Sequence, residues 1–230
     1  MRKEIWILGA ILVLVIIGVV VGSNYYRSSI QNERVTASND SGAPKINPEQ
    51  LVRPDSPTLG PADAPVTIVE FYDPECESCA AFHPAVKKIL KDYEGKVRLV
   101  ARYMPLHSNS LSAATFTEAA GEQGKYWEAQ DLLFQKQSEW GQKHGAAAGA
   151  APPPNINVLF EGYARELGLD RAKAAAAVAE NRYGAKIERD KKDGQALGVR
   201  RTPTFFVNGR ELVQFGEAPL RRLIDDELKR

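Results

Sequence analysis

The sequence predicts an α/β fold: a strand–helix–strand unit opens it and a strand hairpin near the end completes the sheet. Three observations predict it. The β-branched and aromatic run Val66-Thr67-Ile68-Val69-Glu70-Phe71 reads as a buried strand. Phe82, Val86, Ile89, Leu90 and Tyr93 follow at helical spacing. Lys96 to Tyr103 then alternates apolar and polar residues as a second strand. Strand, helix, strand in that order implies a parallel βαβ unit.

The chain has 230 residues, 30 basic and 29 acidic, with 43% apolar residues. The near-balanced charge gives no footprint for nucleic acid. The apolar content is enough for a sizeable core.

Met1-Arg2-Lys3-Glu4 precedes an uncharged run from Ile5 to Gly22. The run falls in the ~17–25-residue range that crosses a bilayer as a helix. A cleaved signal would have a shorter apolar core, ~7–15 residues, and a small-x-small site. Val20-Val21-Gly22 is a poor site, so residues 1–22 are expected to be an uncleaved transmembrane anchor. Arg2 and Lys3 place its start in the cytoplasm and the rest of the chain outside it. Residues 23–57, rich in Ser, Asn, Asp and Pro, are expected to be a flexible tether with a reach of ~30–35 Å.

Thr58 to Pro65 is a turn-rich lead-in. From Ser108 the pattern is helical, with Leu111–Ala120 and Lys125–Trp140 as two helices parted by Gly121 and Gly124. His144 to Pro154 is a loop. Asn157–Leu167 is a short helix, and Asp170 caps a long segment through about Leu197. Thr204-Phe205-Phe206-Val207, Asn208-Gly209 and Glu211–Gln214 form a hairpin. Ala218–Leu228 closes the chain as a helix with Pro219 near its start.

The first strand ends in Cys76-Glu77-Ser78-Cys79, and these are the chain's two cysteines. A structural disulfide would close a loop in the unfolded chain, and a two-residue loop closes almost nothing. The spacing therefore points to redox chemistry. Cys76 sits where the helix begins, and free backbone N–H groups there favour a thiolate. Cys76 is the expected nucleophile and Cys79, one turn in, the resolving thiol. Glu70, inside an apolar strand, is either an edge glutamate or a buried carboxylate that takes the Cys79 proton. Of the three histidines, His83 reads as a solvated helix residue, His107 starts the helical block and His144 lies in a loop. One cysteine pair with scattered histidines is a poor tetrahedral set, so no metal is expected. Trp127 and Trp140 read as core.

The order of elements, with Cys-x-x-Cys ending the first strand, resembles the thioredoxin fold carrying an inserted helical domain, as in the DsbA-like thiol–disulfide oxidoreductases. Leu59-Gly60 through Glu70-Phe71, then Cys76–Cys79, carry the likeness. So do Gly124-Lys125-Tyr126-Trp127 and Val199 through Thr202-Pro203-Thr204-Phe205-Phe206-Val207-Asn208-Gly209. The resemblance implies a thioredoxin-like domain over 58–107 and 198–230, with the insertion at 108–197. It implies a cis Pro203 beside the cysteines and a Thr202 backbone that pairs with substrate, with Glu77 and Ser78 also facing it. It supports the proton-acceptor role of Glu70. No organic cofactor is implied.

The activity it implies is disulfide exchange with exported proteins on the extracytoplasmic side of the membrane, by a monomer recycled by a membrane redox partner. Strongly oxidising members carry a histidine between the cysteines, and Arg201 stands where small residues are usual, so the direction of electron flow is open. The acids Asp73, Glu75 and Glu77 are expected to oppose a Cys76 thiolate. A copper-binding carrier of the same fold is the alternative, since copper(I) favours thiolates. Such carriers more often space the cysteines by three and add a distant histidine.

Overall fold

The structure, a computed structural model, describes residues 18–26, 45–142 and 155–230. The five-stranded sheet has the order β1-β3-β2-β4-β5. β2 (Val66–Tyr72) and β3 (Val97–Tyr103) are parallel, joined by α3 (Glu77–Asp92). β4 (Thr204–Val207) lies antiparallel on the other side of β2, and β5 (Arg210–Glu211) follows it. β1 (Thr58–Leu59), inside the expected lead-in, is a short antiparallel edge on β3.

Alternation along the central strands sorts residues onto two faces. On one, Val66, Ile68, Val97, Leu99, Phe205 and Val207 pack against Val86 and Ile89 of α3. Leu220, Leu223 and Ile224 of α10 (Glu217–Leu228) complete that layer. On the other face, Val69, Phe71, Val100 and Phe206 meet Leu51 of α2 (Pro48–Leu51) and the Met104 side chain. α9 (Gly184–Ala196) covers this second face. Gly194 lets it approach, because a Cβ there would sit 3.0 Å from the Phe71 ring.

The helical block comprises α4 (Ser110–Gly121), α5 (Tyr126–Gln135), α6 (Gln137–Trp140), α7 (Ile156–Glu166), α8 (Arg171–Ala179) and α9. Its own core joins Phe116, Leu133, Trp140, Phe160 and Tyr163. Trp140 is buried there, while Trp127 is partly buried between two cores. The expected Lys125–Trp140 helix breaks at Lys136 into α5 and α6. The long segment capped by Asp170 also breaks. Asp170 does cap α8 through Lys173 N, at 3.1 Å, but the chain turns at Asn181, whose φ is 47°.

Three expectations are corrected. Residues 45–57 are not free coil: Asn47 caps α2, and Leu51 is 1% exposed under the sheet. Ile46 N donates to Gly209 O at 3.0 Å, and Gly209 has φ 86° and no room for a Cβ against Ile46 O. Second, the alternation of apolar and polar residues in β3 does not divide a buried face from an exposed one. Arg102 has no exposed surface. It donates to Leu51 O and Asp193 Oδ2, each at 2.5 Å. It also pairs with Asp190 Oδ1 at 3.0 Å, without hydrogen-bond alignment. Arg53 grips the same Asp193 through two contacts of 2.8 Å. Third, the hairpin's return strand is shorter than Glu211–Gln214.

The helix α1 (18–26) is exposed. Most of the expected transmembrane run from Ile5 lies outside the described residues. Among the described residues, no helix is long and apolar enough to cross a membrane.

Candidate active site

Both cysteines are free thiols. Cys76 is the N-cap of α3 and Cys79 lies within its first turn. Cys76 is 8% exposed and Cys79 fully enclosed, so one sulfur reaches the surface. The turn before them is held from two sides. Cys76 N donates to Asp73 O at 3.1 Å, and Gln137 Nε2 of α6 donates to Pro74 O at 2.9 Å and Cys76 O at 3.1 Å.

The Thr202–Pro203 peptide is cis. The Thr202 carbonyl oxygen lies 3.4 Å from Cys76 Sγ and accepts from the thiol. The Cys76 pKa falls to about 5. The hydrogen bond from Cys79 lowers it most; burial opposes; the Thr202 hydroxyl and the backbone N–H groups of Cys79 and Ser78 add to the lowering. Burial pushes the Cys79 thiol well up, and the neighbouring Cys76 and Glu70 raise it further. The two sulfurs thus differ: Cys76 favours the thiolate and Cys79 the thiol.

Glu70 is not an edge residue. It pairs with Ala101 of β3 and Phe205 of β4 in mid-sheet, 4% exposed. Its face of β2 is the one α3 covers. Burial, then the charge of Cys76, raises its pKa to about 8. A carboxyl group poised there can hold or release a proton near neutral pH. Glu77 and Ser78 are exposed beside Cys76, and the three line a cavity of about 150 Å³ with Glu75, His107 and Gln142. A larger hollow of about 440 Å³ lies among the inserted helices, lined by Phe116, Phe160 and Ala174, and none of the cysteine-turn residues borders it.

Two expectations about charged neighbours change. Asp73 and Glu75 are buried and occupied. Asp73 accepts from Leu106 N at 2.7 Å and meets His107 Nδ1 at 2.8 Å, and Glu75 accepts from Asn109 N at 2.6 Å. They moor the loop after β3 instead of facing the sulfur alone. His83 is not a solvated residue: its Nε2 sits 2.6 Å from Asp131 Oδ1, and Lys87 pairs with the same carboxylate. Arg200 turns away to Gln195 O at 3.1 Å. His144 lies outside the described residues.

His107 is the residue that spacing alone did not bring to the site. It is 34 positions from its partner Asp73, and only the parallel pairing of β2 with β3 carries the two strand ends together.

A family model described as thioredoxin matches residues 53–226. A curated relative named Na(+)/H(+) antiporter NhaA 1, from Salinispora arenicola, is 38% identical over 154 residues, 66% of this chain and 21% of its own. Another, Na(+)/H(+) antiporter NhaA 3 from Salinispora tropica, is 39% identical over 154 residues, again 21% of its length. The matched region thus spans about a fifth of those relatives. Among solved structures, a thioredoxin-like oxidoreductase from Silicibacter pomeroyi is 29% identical with a TM-score of 0.65. That match covers 80% of this chain and 99% of the other. Oxidised BdbD from Bacillus subtilis shares the fold at a TM-score of 0.66 and 24% identity, over 81% of this chain and 97% of its own. Wolbachia pipientis α-DsbA1 does so at 0.67 and 22%, over 78% and 94%. The family model covers most of the chain, so the chain belongs to the thioredoxin family, and it shares the fold of the DsbA-type structures it matches.

Proposed function

We propose that the protein is an extracytoplasmic thiol–disulfide oxidoreductase that exchanges disulfides with exported proteins through Cys76 and Cys79. The observation that carries this reading is the contrast between the two sulfurs: Cys76 ionises at about 5, whereas Cys79 is enclosed beside Glu70 with its pKa held up. As reductant, the Cys76 thiolate attacks a substrate disulfide and displaces one substrate sulfur as a thiolate. Glu70 takes the Cys79 proton, and the Cys79 thiolate attacks Cys76 Sγ. The second substrate sulfur leaves and the Cys76–Cys79 bond forms. Run backwards, the same steps oxidise the substrate. The Thr202 backbone, with exposed Glu77 and Ser78, borders the reacting sulfur and would align an extended substrate.

The membrane setting rests on the apolar run Ile5–Gly22 and its flanking Arg2 and Lys3. A membrane redox partner would recycle the pair. The test is insulin reduction by the full chain, with Cys79→Ser trapping a mixed disulfide and Cys76→Ser trapping none. A chain that retains copper(I) and leaves insulin intact would be a metal carrier instead.

A further inference from the structure

The loop from Leu106 to Ser110, between β3 and α4, is fastened to the two carboxylates of the cysteine turn. Asp73 accepts from Glu75 N at 2.8 Å, Leu106 N at 2.7 Å and Ser110 Oγ at 2.5 Å, and meets His107 Nδ1 at 2.8 Å. Glu75 accepts from Asn109 N at 2.6 Å, Asn109 Nδ2 at 3.0 Å and Gln142 N at 2.8 Å. This mooring fixes the imidazole. A carboxylate offers only acceptor oxygens, so Nδ1 carries the hydrogen and Nε2 is the atom that gains or loses a proton. His107 and Cys76 line the same cavity of about 150 Å³.

We propose that His107, oriented by Asp73, is the cationic partner of the Cys76 thiolate and supplies from across the sheet the charge that the Glu77–Ser78 dipeptide lacks. The proposal rests on the disulfide-exchange reading above. Transfer of the Cys76 proton to Nε2 leaves a thiolate–imidazolium pair with the total charge unchanged. When that thiolate attacks a substrate disulfide, the new S–S bond forms as the old one breaks. The departing thiolate takes the proton from Nε2.

The surroundings favour the cation. Asp73, Glu75 and Glu77 face His107 from the cysteine turn. From α9, Glu188 and Lys191 face it across a second hollow of about 330 Å³, which Pro105 and Leu111 also line. Four carboxylates thus stand against one ammonium. Burial pulls the His107 pKa down, but the Asp73 hydrogen bond and charge, with Cys76 and Glu75, outweigh it and leave it raised. Cys79 and Thr202 act on Cys76 whether or not His107 is protonated; the histidine adds the component that disappears as pH rises.

The test uses the full chain in detergent micelles, with folding checked by near-ultraviolet circular dichroism. In His107→Asn the Cys76 ionisation midpoint, read by thiolate absorbance, should rise by about one unit, as for loss of a close opposite charge. The glutathione equilibrium should move about tenfold toward the protein disulfide, or about 30 mV more reducing. His107→Lys should restore part of both shifts. A folded His107→Asn with both readings unchanged overturns the proposal. A wild-type measurement needs no substitution: followed by NMR, the Nε2 titration of His107 should lie about one unit higher in the dithiol than in the disulfide form. Equal midpoints would also overturn it. If the wild type fails to exchange with glutathione, the function above falls, while the two titrations still decide the role of His107.

Discussion

The Thr202 carbonyl oxygen stands 3.4 Å from Cys76 Sγ, although 126 positions separate the two residues. β4 starts at Thr204 and pairs with β2 from Phe71 to Ile68, so the sheet itself sets this approach. The carbonyl accepts only from the thiol form, whereas the Thr202 hydroxyl favours the thiolate. Replacing Thr202 with Val keeps the shape and the carbonyl and removes the hydroxyl. The Cys76 ionisation midpoint should rise by roughly 0.5–1 unit, with alkylation at pH 6 slowed accordingly. An unchanged alkylation profile would show that the hydroxyl makes no contribution.

The Cys76 thiolate sets the expected redox potential of the pair. A pair with a nucleophile at ~3.5 lies near −120 mV, and one at ~7 near −270 mV. With Cys76 at about 5, interpolation places this pair near ~−180 mV. That is the isomerase end of the scale, less oxidising than the most acidic members. Equilibration with glutathione measures it, and a value above about −140 mV would show a thiolate stabilised beyond what these neighbours supply.

Glu70 ties activity to stability. Its pKa is raised from 4.5 to about 8 in the fold. Between those values the folded chain holds a proton that the unfolded chain has lost, so stability falls as pH rises through that window. Glu70→Gln removes the penalty. The variant should be more stable than wild type at pH 8 by several kcal/mol, with roughly 5 as the upper bound, and indistinguishable from it below pH 4. It should also resolve mixed disulfides more slowly at neutral pH. Denaturant melts at the two pH values and quenched single-turnover exchange would check both halves. Equal stability of the two chains at pH 8 would mean that Glu70 is not buried as a neutral acid.

Arg102 sits with Asp190, Asp193 and the Leu51 carbonyl and has no exposed surface. Arg102→Met fills the space but leaves Asp190 enclosed with only the more distant Arg189 guanidinium, at 3.8 Å. The expected cost is about 3–5 kcal/mol, read as a drop of about 10 °C in Tm. A melt within 2 °C of wild type would show that Asp190 is protonated and needs no partner.

The strand, helix and hairpin around the cysteine turn are legible because local chemistry determines them. The period-2 run from Val66, the helical spacing after Cys79 and Asn208-Gly209 each reflect a backbone preference a few residues long. Asn208 and Gly209 adopt φ of 46° and 86°, as a tight hairpin requires. What was hidden depended on partners far along the chain. Arg102 occupies a polar position in an alternating strand, and nothing local shows that α9 and α2 will cover that face. The alanine-rich stretch has uniformly good helix propensity, and the only local mark of the break is Asn181 past the helix end, a residue that tolerates positive φ, with Gly184 after it. His107 and Asp73 meet because two parallel strands end side by side, which is a property of the sheet.

The mooring of Ile46 on Gly209 fixes where the chain enters the domain. Gly209 is at the hairpin tip after β4, and β4 begins beside Pro203 and the cysteines. The chain therefore joins the domain at the pole opposite Cys76, with the length of the sheet between, ~20 Å for a seven-residue strand. Lys45 strengthens that entry point by pairing with Glu227 of α10 at 2.9 Å. The segment that enters the domain at residue 45 therefore stays clear of the surface onto which Cys76 opens.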